Sequence, residues 1–296
     1  MRYAIVTGAN KGIGFEICRQ LALNGVKVVL TARDEKRGVE AIEKLKDSGL
    51  GHLLLFHQLD VSDPASVASL ADFIKSKFGK LDILVNNAAI NGVILNSEAI
   101  SKAVELAGDW PEDGPNVNWD EIHTQTIELA EQCLEINFYG AKRMIEAFLP
   151  LLQLSDSPTI VNVSSSNGLL QNIPSEKIRG ELDDVESLTE ERMDELLNEF
   201  LKDFKDGLLE TKGWPTHISA YTVSKAFLNA YTRILAKKYP NFVINCCCPG
   251  FAKTDINSNS GIITVEKAAQ TPVMLALLPN GGPSGSFFRN ENKFSF

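Results

Sequence analysis

A glycine-rich run, Thr7-Gly8-Ala9-Asn10-Lys11-Gly12-Ile13-Gly14, stands near the start of the chain, and Tyr221 and Lys225 stand far downstream, four residues apart. On a helix, residues i and i+4 share a face, so the lysine ammonium would sit beside the phenol. A nearby cation favours phenolate over phenol and lowers the tyrosine pKa. Taking a phenol from about 10 to about 7 requires roughly 4 kcal/mol of differential stabilisation. One lysine and a cationic oxidised nicotinamide could share that task, which leaves a proton donor for a carbonyl oxygen near neutral pH.

The glycines specify where a dinucleotide would lie. Gly8, Gly12 and Gly14 let the backbone turn tightly and approach a pyrophosphate, which then meets a helix N-terminus. The run follows a strand pattern and opens a helical one, in which Ile13, Ile17 and Leu21 recur and Asn24-Gly25 supplies a stop. The end of the second strand, Leu30-Thr31-Ala32-Arg33-Asp34, decides the cofactor. Asp34 stands where an acid would bind the ribose of NAD, whereas Arg33 could pair with a 2′-phosphate. Lys11 adds a second cation inside the loop. Two cations against one acid favour NADPH/NADP⁺, and Asp34 then reads as a helix N-cap. The competing reading of Arg33 is a solvated surface charge.

Short β-rich runs alternate with helical patterns, which predicts βαβ units and a parallel sheet. The runs are 3–7, 27–31, 53–58, 82–86, 159–163, 243–247 and 285–288. The expected fold is a doubly wound, Rossmann-type α/β fold: seven parallel strands, helices on both faces, and one domain over 1–296. Two regions break the alternation. Residues 91–120, with Gly92, Gly108, Pro111, Gly114, Pro115 and two tryptophans, suggest an irregular excursion. Residues 168–216 exceed an ordinary connection and read as a helical flap inserted before the helix of Tyr221. There Thr189 is the expected N-cap, and Met193, Leu196, Leu197, Phe200, Leu201 and Phe204 form one stripe. Such a helix packs on its own domain, and it could also cover the substrate mouth.

With 296 residues, 44% of them hydrophobic, a large core is available. A net charge of −9 and the lack of a long basic run disfavour nucleic acid and anionic membranes as partners. No stretch approaches the roughly 20 apolar residues of a membrane span. A strand pattern from Tyr3 leaves no room for a targeting peptide, so a cytoplasmic protein is expected. Cys18, Cys133 and the run Cys246-Cys247-Cys248 read as small buried hydrophobes in a reducing compartment. Neither they nor His52, His57, His123 and His217 show metal-ligand spacing, so no metal is expected. His217, near Tyr221, reads as structural, with a place in the pocket wall as the alternative.

With the glycine run, Asn86-Asn87-Ala88, Ser164-Ser165 and Tyr221-Thr222-Val223-Ser224-Lys225 in that order, the chain resembles the short-chain dehydrogenase/reductase family. The long segment before Tyr221 is similar to that of monomeric carbonyl reductases. Phrases such as Phe56-His57-Gln58-Leu59-Asp60 and Leu149-Pro150-Leu151-Leu152 resemble the plant group that includes salutaridine reductase and the menthone/neomenthol reductases.

The resemblance implies roles for individual residues. Tyr221 would be the general acid, Lys225 would lower its pKa and bind the nicotinamide ribose, and Ser165 would hydrogen-bond the substrate carbonyl. Asn137 would complete a water-linked proton relay with Lys225. Cofactor contacts would come from Gly8, Asn10, Lys11, Gly12, Ile13, Gly14 and Arg33, and from Asp60 and Val61 at the adenine. Asn87, Ala88, Pro249, Gly250 and Thr254 would complete them. The usual Asn-Asn-Ala-Gly is here Asn86-Asn87-Ala88-Ala89, which implies either a narrowed approach or an ordinary backbone at 89.

Each group has a duller reading: an aromatic–cation helix pair, serines closing a strand, an asparagine capping a helix. Their joint order argues against these. The expected activity is NADPH-dependent reduction of a hydrophobic ketone, the resemblance suggesting a cyclic terpenoid or alkaloid. The alternatives are reduction of a conjugated C=C bond in an enone and binding of NADP(H) without turnover. The 168–216 insertion would cover the helix face through which family members pair, so a monomer is expected.

Overall fold

Runs rich in valine, isoleucine and leucine, too short for helices, build a central sheet buried on both faces, as parallel sheets require. The structure, a computed structural model, describes residues 1–111 and 117–296. The first half alternates β1 (Tyr3–Val6), α1 (Gly12–Leu23), β2 (Lys27–Ala32), α2 (Glu35–Leu45), β3 (Leu54–Gln58), α3 (Pro64–Phe78) and β4 (Ile83–Asn86). An excursion follows: β5 (Ile94–Leu95), α4 (Ser97–Ala107), α5 (Trp119–Ile122) and β6 (His123–Thr124). Next come α6 (Ile127–Leu134), a π-turn over Glu135–Tyr139, α7 (Gly140–Leu152) and β7 (Thr159–Val163). The insertion holds α8 (Glu176–Asp183), α9 (Glu190–Lys205) and α10 (Leu209–Lys212) and leads into α11 (Ser219–Lys238). The chain closes with β8 (Val243–Cys248), α12 (Val265–Ala268), α13 (Gln270–Ala276), β9 (Ser286–Arg289) and β10 (Asn292–Phe294).

The main sheet runs β10-β9-β8-β7-β4-β1-β2-β3. Strand order reverses beside β1, with β2 on one side and β4 on the other, which opens a crevice at the strands' carboxyl ends. Both the glycine loop and Asn86-Asn87-Ala88 leave the sheet there. The sheet has eight strands among the described residues where seven were expected. The extra strand, β10, pairs antiparallel with β9 across a two-residue turn in which Asn290 and Glu291 both have positive φ. Its exposed Asn292-Lys293-Phe294 carries no apolar alternation, which is why the sequence pattern did not reveal it.

The excursion is more regular than its prolines and glycines suggested. Asn96 caps α4 by accepting from the backbone N–H groups of Glu98 and Ala99, and Ile100 and Val104 pack with Trp119 and Ile122 in a small core of their own. Gly114 and Pro115 lie outside the described residues. In the insertion, Thr189 caps α9, accepting from the Arg192 N–H. Met193, Leu196, Leu197 and Phe200 are buried in the same core as Ala130 and Leu134 of α6 and Val223 and Phe227 of α11, while Leu201 and Phe204 lie at its margin. Trp214 is buried and donates its indole N–H to Asp203 Oδ2 at 2.9 Å, so the end of the insertion is fastened to α9.

Cys246 and Cys248 pack with Leu169 and Phe287, while Cys247 faces the opposite core layer, the alternation a strand imposes. Burial pushes the Cys246 thiol up to about 12. No helix among the described residues is long and apolar enough to cross a membrane.

Candidate active site

The glycine loop is tied to the strand beside it. Thr7 Oγ1 accepts from the backbone N–H groups of Asn87 and Ala88, each at 2.9 Å. Asn87 Nδ2 in turn donates to the carbonyls of Thr7 and Gly8. Gly8 has φ +62, and a β-carbon there would lie 2.9 Å from Ala88 Cα; Gly12 has φ +59. Both positions favour glycine on backbone grounds alone. Ala89 stays out of the left-handed region, so its methyl costs no backbone strain.

Lys11 is the N-cap of α1, and neither it nor any acidic residue in the first turn caps the helix. The first N–H groups of α1 therefore have no side-chain cap among the described residues, and the helix dipole adds positive potential there. That is the arrangement a pyrophosphate requires, so the loop fits a dinucleotide. Asn10 and Ile13 are partly exposed beside it, and Gly14 is buried.

Arg33 is exposed at the end of β2, and Asp34 caps α2 by accepting from the Arg37 N–H. The balance of charge differs from the sequence count. Lys11 Nζ pairs with Asp255 Oδ2 at 2.5 Å, both side chains more than half exposed. Arg37 lies 3.7 Å from Asp34, and Lys11 first, with Arg37 adding, holds the Asp255 carboxyl below the usual range. The region thus carries three cations, Lys11, Arg33 and Arg37, against two acids. Arg37 and Asp255 were missed because one seemed an ordinary helix-opening residue and the other lies 244 positions from its partner.

Further along the crevice, Asp60 Oδ1 accepts from the backbone N–H and hydroxyl of Ser62. Val61 is buried, and its carbonyl accepts from Arg143 Nη1. On the opposite side Pro249 and Gly250 follow β8, and Thr254 forms a reciprocal cap with Asn257. The Thr254 methyl lies 3.5 Å from where a Gly12 β-carbon would stand, so this segment meets the glycine loop.

Tyr221 and Lys225 both lie on α11, one turn apart, with Lys225 Nζ 5.6 Å from the phenol ring centroid. Lys225 is 2% exposed and donates to the Val163 carbonyl at 2.8 Å. The three serines after β7 separate cleanly. Ser164 Oγ donates to the Lys225 carbonyl at 3.4 Å, and Ser166 Oγ is buried without a partner among the described residues. Ser165 is the one of the three whose hydroxyl acts on the Tyr221 phenol, favouring its ionised form, and its Oγ accepts from the Asn167 N–H at 3.1 Å. Asn137 sits in the π-turn between α6 and α7, a distortion that often marks functional positions. Its Nδ2 reaches the Ile90 carbonyl and Ser224 Oγ, and its Oδ1 accepts from the Ile90 N–H. It contacts the strand-4 loop and α11, not the Lys225 ammonium.

The electrostatics correct one expectation. Lys225 does not acidify the phenol in the protein alone. Burial pushes Tyr221 well above 10, Cys248 and Cys133 add to that, and only the Ser165 hydrogen bond opposes. Burial likewise lowers Lys225 to about 8. The physical reason is competition: the ammonium is bound to a backbone carbonyl, and desolvation is the largest influence on both groups.

His217 stacks on Trp119 at 5.1 Å and lines a cavity of ≈ 410 Å³ with Pro174, Glu210, Trp214 and Thr216. Neither Tyr221 nor Ser165 borders that cavity, so it is not the reacting pocket.

A glycine loop at a sheet's switch point, joined to a Ser–Tyr–Lys constellation, defines a dinucleotide-dependent oxidoreductase fold. Comparison with known proteins agrees. The short chain dehydrogenase family model matches residues 2–110. Short-chain dehydrogenase/reductase 1 of Saponaria officinalis is 62% identical, covering 98% of this chain and 95% of the relative. The (+)-neomenthol dehydrogenase of Arabidopsis thaliana is 57% identical over 100% and 98%. The solved structure of salutaridine reductase from Papaver somniferum superposes with a TM-score of 0.90 at 52% identity, covering 97% and 99%. The chain belongs to the short-chain dehydrogenase/reductase family, whose members are oxidoreductases that use a nicotinamide cofactor.

Proposed function

We propose that the protein is an NADPH-dependent carbonyl reductase that converts a hydrophobic, cyclic terpenoid or alkaloid ketone into a secondary alcohol. The observation that carries this reading is the placement of Tyr221 one helical turn from a buried Lys225 that is anchored on the Val163 carbonyl at the end of β7, with Ser165 just beyond that strand. Two relatives, named for neomenthol and salutaridine, support the substrate class.

The bound nicotinamide supplies a hydride. The protein's own residues supply the rest. The N–H groups at the start of α1, which no side chain caps, would hold the pyrophosphate, and Arg33, with Lys11 and Arg37, would hold the 2′-phosphate. Ser165 and Tyr221 direct two hydroxyls at one carbonyl oxygen, so negative charge developing there meets two donors. The raised Tyr221 pKa keeps the phenol protonated before reaction. Because an alkoxide is more basic than a phenolate, proton transfer from Tyr221 to the product oxygen runs downhill. Lys225, charged at neutral pH, then stabilises the phenolate left behind. Asn137, by fixing Ile90 and Ser224, shapes the wall behind Lys225 through which a proton would be resupplied.

We assign the monomer as the working form: α9 packs on α6, and the family resemblance implies that the insertion covers the helix face through which family members pair. Light scattering should give a mass near 32.5 kDa, and a dimer mass would remove the assignment. The activity is tested by incubating NADPH with a panel of cyclic ketones and an enone, with chiral product analysis. Secondary and allylic alcohols are expected. A saturated ketone from the enone would instead establish C=C reduction, and cofactor binding without turnover would establish a sensor.

A further inference from the structure

We infer that Gln125 is a positioning residue for Tyr221, capping the first turn of the catalytic helix from outside that helix. The inference rests on the reading of Tyr221 as proton donor.

Tyr221 is the third residue of α11, within the first turn, whose N–H groups have no acceptor inside the helix. The residue before the helix is no help. Ile218 has φ 39 and ψ 42, a left-handed conformation that a β-branched residue rarely adopts, and its side chain caps nothing. Such a conformation persists only when its surroundings fix it.

Gln125, just past β6, does this with one carboxamide. Its Oε1 accepts from the Ser219 backbone N–H and from the Ser219 hydroxyl, each at 2.7 Å. Its Nε2 donates to the Thr216 carbonyl, also at 2.7 Å. The side chain therefore bridges both sides of the kink at Ile218. Two residues earlier, His123 Nε2 accepts from the Ile218 N–H at a longer 3.4 Å, and His123 pairs with Leu95 in the β5–β6 ladder. The excursion at 91–125 thus reaches the start of α11.

The two catalytic side chains depend on this brace unequally. Lys225 lies one turn deeper and has its own anchor in the Val163 carbonyl. Among the described residues the Tyr221 hydroxyl has no comparable anchor beyond the influence of Ser165, so looseness in the first turn moves the phenol relative to Ser165. A misplacement of about 1 Å at a reacting group costs up to about a hundredfold in rate. Loss of the brace should accordingly lower kcat and leave cofactor binding alone.

The test compares Gln125→Leu, Gln125→Glu, Ser219→Ala and Tyr221→Phe. Three readouts are needed: kcat on a reducible ketone, NADPH Kd by fluorescence, and amide exchange across α11. Gln125→Leu should lose about tenfold in kcat, with Kd within about twofold. Exchange at 218–222 should accelerate while 226–235 stays protected. Gln125→Glu keeps the acceptor for Ser219 but loses the donor to the Thr216 carbonyl, so it should recover only part of the loss. Ser219→Ala, which removes one of the two contacts without enlarging a buried side chain, should lose about threefold and carries the test if Gln125→Leu does not fold.

Unchanged kcat in Gln125→Leu and Ser219→Ala, with Tyr221→Phe inactive, would overturn the positioning role and leave the proton donor standing. Uniformly faster exchange across α11 would also overturn it. Full turnover by Tyr221→Phe would remove the underlying reading and this inference with it.

Discussion

Among the described residues, two of the longer helices that start from non-helical backbone begin without a side-chain cap of their own, and they are the two to which the chemistry is assigned. The longer helices that start from non-helical backbone are otherwise capped locally: α2 by Asp34, α3 by Asp63, α4 by Asn96, α6 by Thr126, α8 by Ser175 and α9 by Thr189. At α1 the N–H groups are left open behind Gly8 and Gly12, where a phosphate can accept from them. At α11 the first turn is closed by Gln125 and His123 from elsewhere in the chain. The open end is the proposed phosphate site, whereas the closed end holds the proposed proton donor, which must not wander. Leaving out a local cap therefore serves two opposite ends, distinguished by what fills the gap.

The comparison can be broken from either side. The largest expected effect is at Lys225 on the closed helix. Burial has lowered its pKa from 10.5 to about 8, so folding must desolvate a cation at neutral pH. At about 1.4 kcal/mol per pH unit, the penalty is about 3 kcal/mol. Below pH 8 it is present in full. Between pH 8 and 10.5 the unfolded chain binds more protons than the folded one, so stability rises with pH. Denaturant melts of Lys225→Met and wild type without cofactor should therefore converge by about 3 kcal/mol from pH 8 towards 10.5, apart from a constant offset for the lost bond to Val163. Parallel curves would show that the ammonium is not desolvated as described.

At the open helix, Lys11→Asp places a capping carboxylate where phosphate is expected. The cofactor-free protein should gain less than the roughly 1 kcal/mol of a cap, because the exposed pair with Asp255 is lost, while NADPH affinity falls about a hundredfold through lost N–H groups and charge repulsion. Calorimetric melts and fluorescence titration measure the two separately. Unchanged affinity would mean that the start of α1 is not the phosphate site. A smaller effect sharpens the cofactor choice: Arg33→Ala should weaken NADPH binding about tenfold and leave NADH unaffected, as expected for one exposed charge-assisted pair. Equal losses for both cofactors would return Arg33 to a role without phosphate selectivity.

The open end was legible in the sequence and the closed end was not, for a physical reason. Glycines with positive φ, the Asp34 cap and the alternation of apolar strands are short-range requirements, written within a few residues of where they act. Tyr221 and Lys225 share a helix face for the same reason. The brace at Gln125 joins positions more than ninety residues apart, and Gln125 lies in no motif. Lys11 and Asp255 meet across the crevice in the same way. The phenol's electrostatics were misjudged because burial, a property of the whole fold, outweighed the neighbour that helical spacing identified. Helix α4 was hidden by the turn residues around it, and β10 by its polar, exposed face.

The most direct test of proton donation is Tyr221→Phe, assayed for NADPH-driven ketone reduction beside wild type, with NADPH affinity measured on the same samples. The account predicts a fall in kcat of about a thousandfold, within the range of general acid catalysis, and a Kd within about twofold. Turnover close to wild type, with the cofactor still bound, would contradict it.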